Sequence, residues 1–458
     1  MHPHNTIVFI SLLYALVCTS CADNTDAPNT DSETEGTDPD DAGDGMDAGD
    51  DTETETESDI EICPEPDVCE DATYTGVTWQ CQQRFMYGIN YAWRHFGADF
   101  GGVPSDEPSG ISEARDEYMV DLTEMKARGV NVIRWWMFPA FRTDSILYDE
   151  NHMITGIGGS LEADILAALE MAHELDLYLM LTLFSFDGFR PDEETEDSFI
   201  PSLSPMVLDD DKRAAVIDNL VRPTAAVVEA SPYRDHMIAW DVINEPEWAV
   251  RGYGVNGDQN FDPTDGLESV LYDDMHAFLD EVIAGLRTES SALVTIGAAA
   301  FKWAHAWQDL DQDFYQFHMY SWVNDYWPYT DPPEAYDLTD KPTVMGEYFL
   351  GYMDPGDTST PSFAEMTESF YNNGYAGALG WQYINVAGGW TLPEYMDPVE
   401  AFAEAHTCET AYSIPDGDTT DAAAASKRRL PLLPRSPEPY LGRICRIGLD
   451  GRPDCTER

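Results

Sequence analysis

The chain has 458 residues, 43% of them hydrophobic and 12% aromatic, enough to fill one large α/β barrel or two ordinary domains. Its 24 basic side chains stand against 86 acidic ones, a formal net charge of −62. That balance excludes a basic surface for nucleic acid or anionic lipid and leaves a neutral substrate unrepelled.

Residues 1–21, MHPHNTIVFISLLYALVCTSC, carry an apolar run from Ile7 to Val17. It is too short to cross a bilayer and fits the apolar region of an export signal. The stretch CTSC resembles a bacterial lipobox and makes Cys21 the lipidation candidate; simple cleavage near Ser20 is the alternative. Export permits disulfides. Beside Cys21 the mature chain keeps Cys63, Cys69, Cys81, Cys408, Cys445 and Cys455, with no CxxC pair of the zinc-ribbon kind. Residues 22–62, as in DPDDAGDGMDAGDDTETETESD, contain no basic residue and hardly an apolar one. Such a segment cannot offset its ordering entropy and is expected to be an extended, self-repelling linker. It lacks the ligand spacing and terminal Glu of an EF-hand loop.

Residues 63–410 read as the folded domain. Between about Phe85 and His406 come eight short apolar runs: FMYGIN, NVIRWWM, LYLMLTLF, MIAWDVI, ALVTIG, FYQFHMY, PTVMGE and GALGWQYI. Most are apolar on both faces, as parallel strands covered on each side must be, and helical stretches such as LEADILAALEMAHEL fall between several of them. Eight strand and helix units predict a (β/α)8 barrel, with a doubly wound open sheet as the runner-up. Barrel closure would bring Cys81, before the first strand, next to Cys408, after the last helix. Cys63 and Cys69 could close a small loop. Residues 411–458 form a Pro/Arg-rich tail holding a third of all basic residues. Folding through Cys445 and Cys455, docking and disorder all stay open for it.

Barrels of this kind place their sites at the C-terminal strand ends. There the fourth run delivers Asn244 and Glu245, with Pro246 forbidding the ladder to continue, and the seventh delivers Glu347. Two carboxylates at one mouth suit acetal hydrolysis: one protonates the departing oxygen, the other attacks or directs water. The alternative for each Glu alone is a loop residue or helix cap. GYGVNG opens no helix, His173-Glu174 lacks a second zinc-binding His, and no Gly-x-Ser-x-Gly or P-loop occurs. Nothing calls for a metal or an organic cofactor.

INEP on the fourth strand with GEY on the seventh resembles the clan of retaining glycoside hydrolases on this barrel, and most closely family 5, which holds many cellulases and mannanases. The resemblance implies Glu245 as acid/base and Glu347 as nucleophile in a double displacement, with carboxyl groups about 5 to 5.5 Å apart. It implies that Arg134 lies beneath the nucleophile, that Asn244 binds the sugar 2-hydroxyl, and that Tyr320 orients Glu347. His318 would bind substrate or tune the acid/base, and Trp381 would form the floor under the reacting sugar. The structural alternatives are an ion pair for Arg134, a barrel histidine for His318 and plain core for Trp381. In one departure, the third strand ends Phe184, Ser185, Phe186, Asp187, where many members have His.

Trp93, Trp135, Trp136, Trp248, Trp303, Trp307, Trp322, Tyr326, Trp327 and Trp390 crowd the expected rim. Several are expected to line a glycan cleft, Trp93 and Trp136 among them, and the rest to be core. Trp135 and Trp136 must point to opposite sides of one strand. The whole reads as an exported, monomeric, retaining β-glycosidase acting on a β-glucan, mannan or related carbohydrate. A membrane enters only through the N-terminal lipid. A transglycosylase and a non-catalytic glycan-binding barrel are the alternatives. The acidic surface predicts stability that rises with salt, as screening relieves self-repulsion.

Overall fold

The eight apolar runs form eight strands: β1 (Met86–Asn90), β2 (Val132–Trp136), β3 (Tyr178–Ser185), β4 (Met237–Asn244), β5 (Leu293–Ala298), β6 (Tyr315–Tyr320), β7 (Thr343–Phe349) and β8 (Gly377–Gly380). They pair in parallel in chain order, and β8 closes on β1 to complete the barrel. The expected (β/α)8 fold is therefore borne out, and the open sheet is not. The computed structural model describes residues 76–103, 110–194, 199–255, 257–349, 361–383 and 392–412. Two short strands, Ile444–Ile447 and Pro453–Thr456, pair antiparallel, with Cys445 opposite Cys455. The export segment with Cys21, the acidic linker, Cys63, Cys69 and Trp390 lie outside the described residues.

Long helices cover most of the outside: α1 (Arg115–Ala127), α2 (Leu161–Leu175), α3 (Arg222–Ala230), α4 (Tyr272–Glu289), α5 (Phe363–Asn372) and α6 (Leu392–Ala405). In α2, Leu161, Ile165, Ala168, Leu169 and Ala172 fall on one face and are buried. Glu162 and Asp164 in its first turn and His173 in its last complement the helix dipole. In α5 a capping box between Ser362 and Glu365 satisfies the first amides. None of the described helices is long and apolar enough to cross a membrane.

Two crossings depart from the expected strand and helix repeat. After β5 the chain makes only the short turn Phe301–Trp303, and after β6 only Ser321–Asn324 and Pro333–Tyr336. Pro328, Pro332 and Pro333 deny the second crossing a long helix. Aromatic packing takes the helix's place: Phe301 stacks on Phe317 and Tyr336 at 4.6 and 4.4 Å, and Trp303 and Trp307 are buried.

The N-terminal end of the barrel is plugged. A hairpin, Val77–Trp79 with Gln82–Arg84, places Val77 and Trp79 against Met86, Val132, Tyr178 and Met180. The Tyr412 hydroxyl ties the end of the domain back by donating to the carbonyls of Val77 and Arg84 at 2.8 and 3.0 Å. Here too the Phe85 amide donates to Glu409 O at 2.6 Å. Toward the other mouth lie the buried polar side chains of Asn90, Arg134, Asp241, Asn244 and Glu347.

Candidate active site

The inward positions of the strands become polar toward the C-terminal mouth. Arg134, on β2 and fully buried, anchors this layer. Its Nε donates to Asp241 Oδ2 at 2.8 Å, its Nη1 to Asn90 Oδ1 at 2.9 Å and Glu347 Oε1 at 2.5 Å, and its Nη2 to Asn244 Oδ1 at 2.9 Å. Burial works against its charge, but Asp241 and Glu347 outweigh it and hold the guanidinium above its ordinary pKa. Asp241 is in turn satisfied by the Thr182 hydroxyl at 2.9 Å and the Gly297 amide at 2.8 Å. Gly297 has to be small: a Cβ there would come within 2.8 Å of Gln316 Nε2 and 3.0 Å of Arg134 Nη2.

Glu347, on β7 and 3% exposed, accepts from Arg134 on one oxygen and from the Tyr320 hydroxyl on the other, at 2.5 Å. Burial, with the nearby Glu245, holds its carboxyl above the ordinary value against the pull of Arg134 and Tyr320.

Glu245 stands just beyond β4 in a different setting. Its amide still donates to Gly297 O at 2.6 Å, so the ladder runs one residue further than the strand. Its backbone then turns into the left-handed region, φ 50° and ψ 52°, and Pro246–Ala249 forms a tight turn. One carboxyl oxygen meets His318 Nδ1 at 2.8 Å and the other accepts from Trp248 Nε1 at 2.9 Å. Burial raises this carboxyl to about 7, Asp187 adds to the rise, and Trp248 and the more distant Arg134 oppose it. Burial drives His318 down to about 4, so it is neutral near pH 7. A carboxyl oxygen of Glu245, a ring nitrogen of His318 and a carboxyl oxygen of Glu347 lie within 4.8 Å of one another.

The strand ends thus bring together Arg134, Asn244, Glu245, His318, Tyr320 and Glu347. Trp136 lies 5.8 Å from Trp381 and 5.2 Å from Trp93, ring to ring, forming one aromatic wall over β8, β1 and β2. Across the mouth Trp248 packs on Trp322 at 5.6 Å, a second wall over β4 and β6. Trp135, Trp303 and Trp307 belong to the core instead, Trp135 pointing away from Trp136 to donate to Asp99. Tyr326 is exposed, and Trp327 packs partly buried against the core. At the end of β3, Asp187 is held by Arg190 at 2.7 Å, near Glu245.

Sequence reasoning missed Asn90 and Asp241, and it placed Trp248 at the rim without its bond to Glu245. Asp241 had a signal, since an acid inside an apolar strand must find a partner. The bond from Trp248 to Glu245 had none, because it depends on the turn.

No protein-family model matches the chain. A curated relative, the mannan endo-1,4-beta-mannosidase of Cryptopygus antarcticus, is 25% identical over 338 residues, covering 66% of this chain and 81% of that protein. Among solved structures, the beta-1,4-mannanase of the sea hare Aplysia kurodai superposes with a TM-score of 0.60 at 20% identity, covering 75% of this chain and 99% of that one. A GH5_18 protein of Bifidobacterium longum gives 0.51 at 14% identity, over 72% and 81%. The resemblance to family 5 read from INEP and GEY agrees with these neighbours.

Proposed function

We propose that this chain, a glycoside hydrolase by its barrel, its carboxylate pair and its relatives, cleaves internal β-1,4 bonds of mannan with retention of configuration. One observation carries the reading: a buried and a partly buried carboxylate come within 4.8 Å at the barrel mouth, and only one of them touches a guanidinium. That spacing suits direct attack; inversion needs roughly 6.5–9.5 Å to admit a water.

Glu347, facing Arg134 and Tyr320, is the nucleophile. Both donors favour its ionised form, and both fix the oxygens that attack the anomeric carbon. Glu245, raised to about 7 with no cation in contact, keeps its proton and delivers it to the departing oxygen. In the second half the same group takes a proton from water, which releases the glycosyl-enzyme. Arg134 occupies the Asn244 carbonyl, leaving Nδ2 to donate to the sugar 2-hydroxyl. Trp381 and Trp136 flank the reacting sugar. Aromatic walls on both sides of the carboxylate pair allow a chain to cross the cleft, which favours internal attack. The endo-acting relative agrees.

We further propose a bridge between Cys81 and Cys408 that fastens the barrel seam, and export through residues 1–21. Anchoring at Cys21 or cleavage near Ser20 is decided by the mass of the mature N-terminus. A polysaccharide panel with product sizing and anomer detection tests the main reading. Shortened manno-oligosaccharides of retained configuration are expected; an inverted product, or no turnover of any β-mannan, would overturn it.

A further inference from the structure

Two residues past Glu245 the same turn carries a second carboxylate, Glu247, fully buried and closed to any sugar. Its Oε2 accepts from the Ala299 amide at 3.0 Å and its Oε1 from Trp307 Nε1 at 2.8 Å, both in the segment that follows β5. Burying a carboxylate costs several kcal/mol unless donors meet it, so its presence here calls for a reason. Burial raises it to about 7, against the pull of those two donors.

The neighbouring geometry supplies that reason. Glu245 sits in the left-handed region, which a residue with a side chain holds only where its surroundings over-determine it. Its amide is fixed on Gly297 O, two residues before Ala299, and the Trp248 amide reaches back to Glu245 O at 3.2 Å. Trp248 packs edge-on against Trp303 at 5.4 Å, again from the segment after β5. Glu247 and Trp248 therefore grip one segment from two sides, and the indole of Trp248 ends on Glu245 Oε2.

We propose that Glu247 is a positioning residue for the acid/base: by clamping Ala299 and Trp307 it fixes the Pro246–Ala249 turn, and with it the Trp248 indole and the Glu245 carboxyl. The inference rests on the reading of Glu245 as the proton donor.

The test compares wild type, Glu245→Gln and Glu247→Gln on phenyl and 2,4-dinitrophenyl β-mannobiosides, reading kcat/KM. Dinitrophenolate departs without a proton, whereas phenolate needs one. Glu247→Gln is expected to lose at least ~10-fold on the phenyl substrate, a fraction of what general-acid catalysis supplies, and to stay within about threefold on the dinitrophenyl one. Equal losses on both would overturn the proposal, as would no loss. Trp307→Phe removes one of the two donors and keeps the carboxylate on Ala299; it should show a smaller loss with the same dependence on leaving group. It carries the test if Glu247→Gln does not fold, and a loss in it independent of leaving group likewise overturns the proposal. If Glu245→Gln itself shows no such dependence, the assignment of Glu245 fails first, and the two failures are told apart.

Discussion

The β7 side and the β4 side of the mouth each present one glutamate, Glu347 buried and Glu245 partly buried, and they surround it differently. Glu347 meets a guanidinium and a phenol. Glu245 meets a neutral imidazole and an indole. The difference teaches that partner type, more than burial, divides the labour: contact with a fixed cation makes one group an attacking anion, while its absence leaves the other a proton carrier.

The comparison breaks most severely if Glu347→Ala keeps activity. The expected loss in kcat is on the order of 10⁵-fold, as when a covalent step is removed, with glycan binding intact by calorimetry. Arg134→Met attacks the β7 side through its cation. It strands Asp241 and Glu347 without their charge, so denaturant unfolding should show about 3–5 kcal/mol less stability. On the β4 side, Glu245→Gln should cost about 10²–10⁴-fold in kcat/KM on mannan and remove the alkaline limb of the pH profile. That limb lies near pH 7 in the wild type, because activity falls as the raised carboxyl loses its proton.

Two single-donor changes sharpen the contrast. Tyr320→Phe takes a donor from the ionised nucleophile, so the pKa of Glu347 rises and the acid limb moves to higher pH, with kcat reduced by about tenfold. Trp248→Phe takes a donor from Glu245, so its pKa also rises, but here the alkaline limb moves outward and the profile broadens. Salt should act least: raising it should lift the melting temperature by roughly a few degrees while both limbs stay put, since screening reaches exposed acids far more than the pair at the barrel mouth.

The strands and both glutamates were legible because each leaves a local trace. An apolar run, a period of two and an Asn-Glu-Pro stop need no knowledge of the rest of the chain. The period of two also separated Trp135 from Trp136. What stayed hidden depends on closure. Arg134 finds Asp241 across 107 residues only when β2 and β4 both face the same interior, with β3 between them. The missing helices after β5 and β6 had a signal in the prolines of the second crossing and little in the first, where buried tryptophans replace a helix. The left-handed Glu245 has no sequence mark, since neighbours impose it.

The flank behind β5 and β6 is walled by irregular chain, and the acid/base turn leans on it through Ala299, Trp303 and Trp307. Irregular cover of that sort opens at lower cost than packed helices do. On warming, catalysis should therefore fade before the ring of strands comes apart, with deuterium entering residues 299–314 first. Thermal tolerance of the working enzyme would then be set by the rigidity of this one panel, and bracing it would extend the useful temperature range without a single change in the cleft.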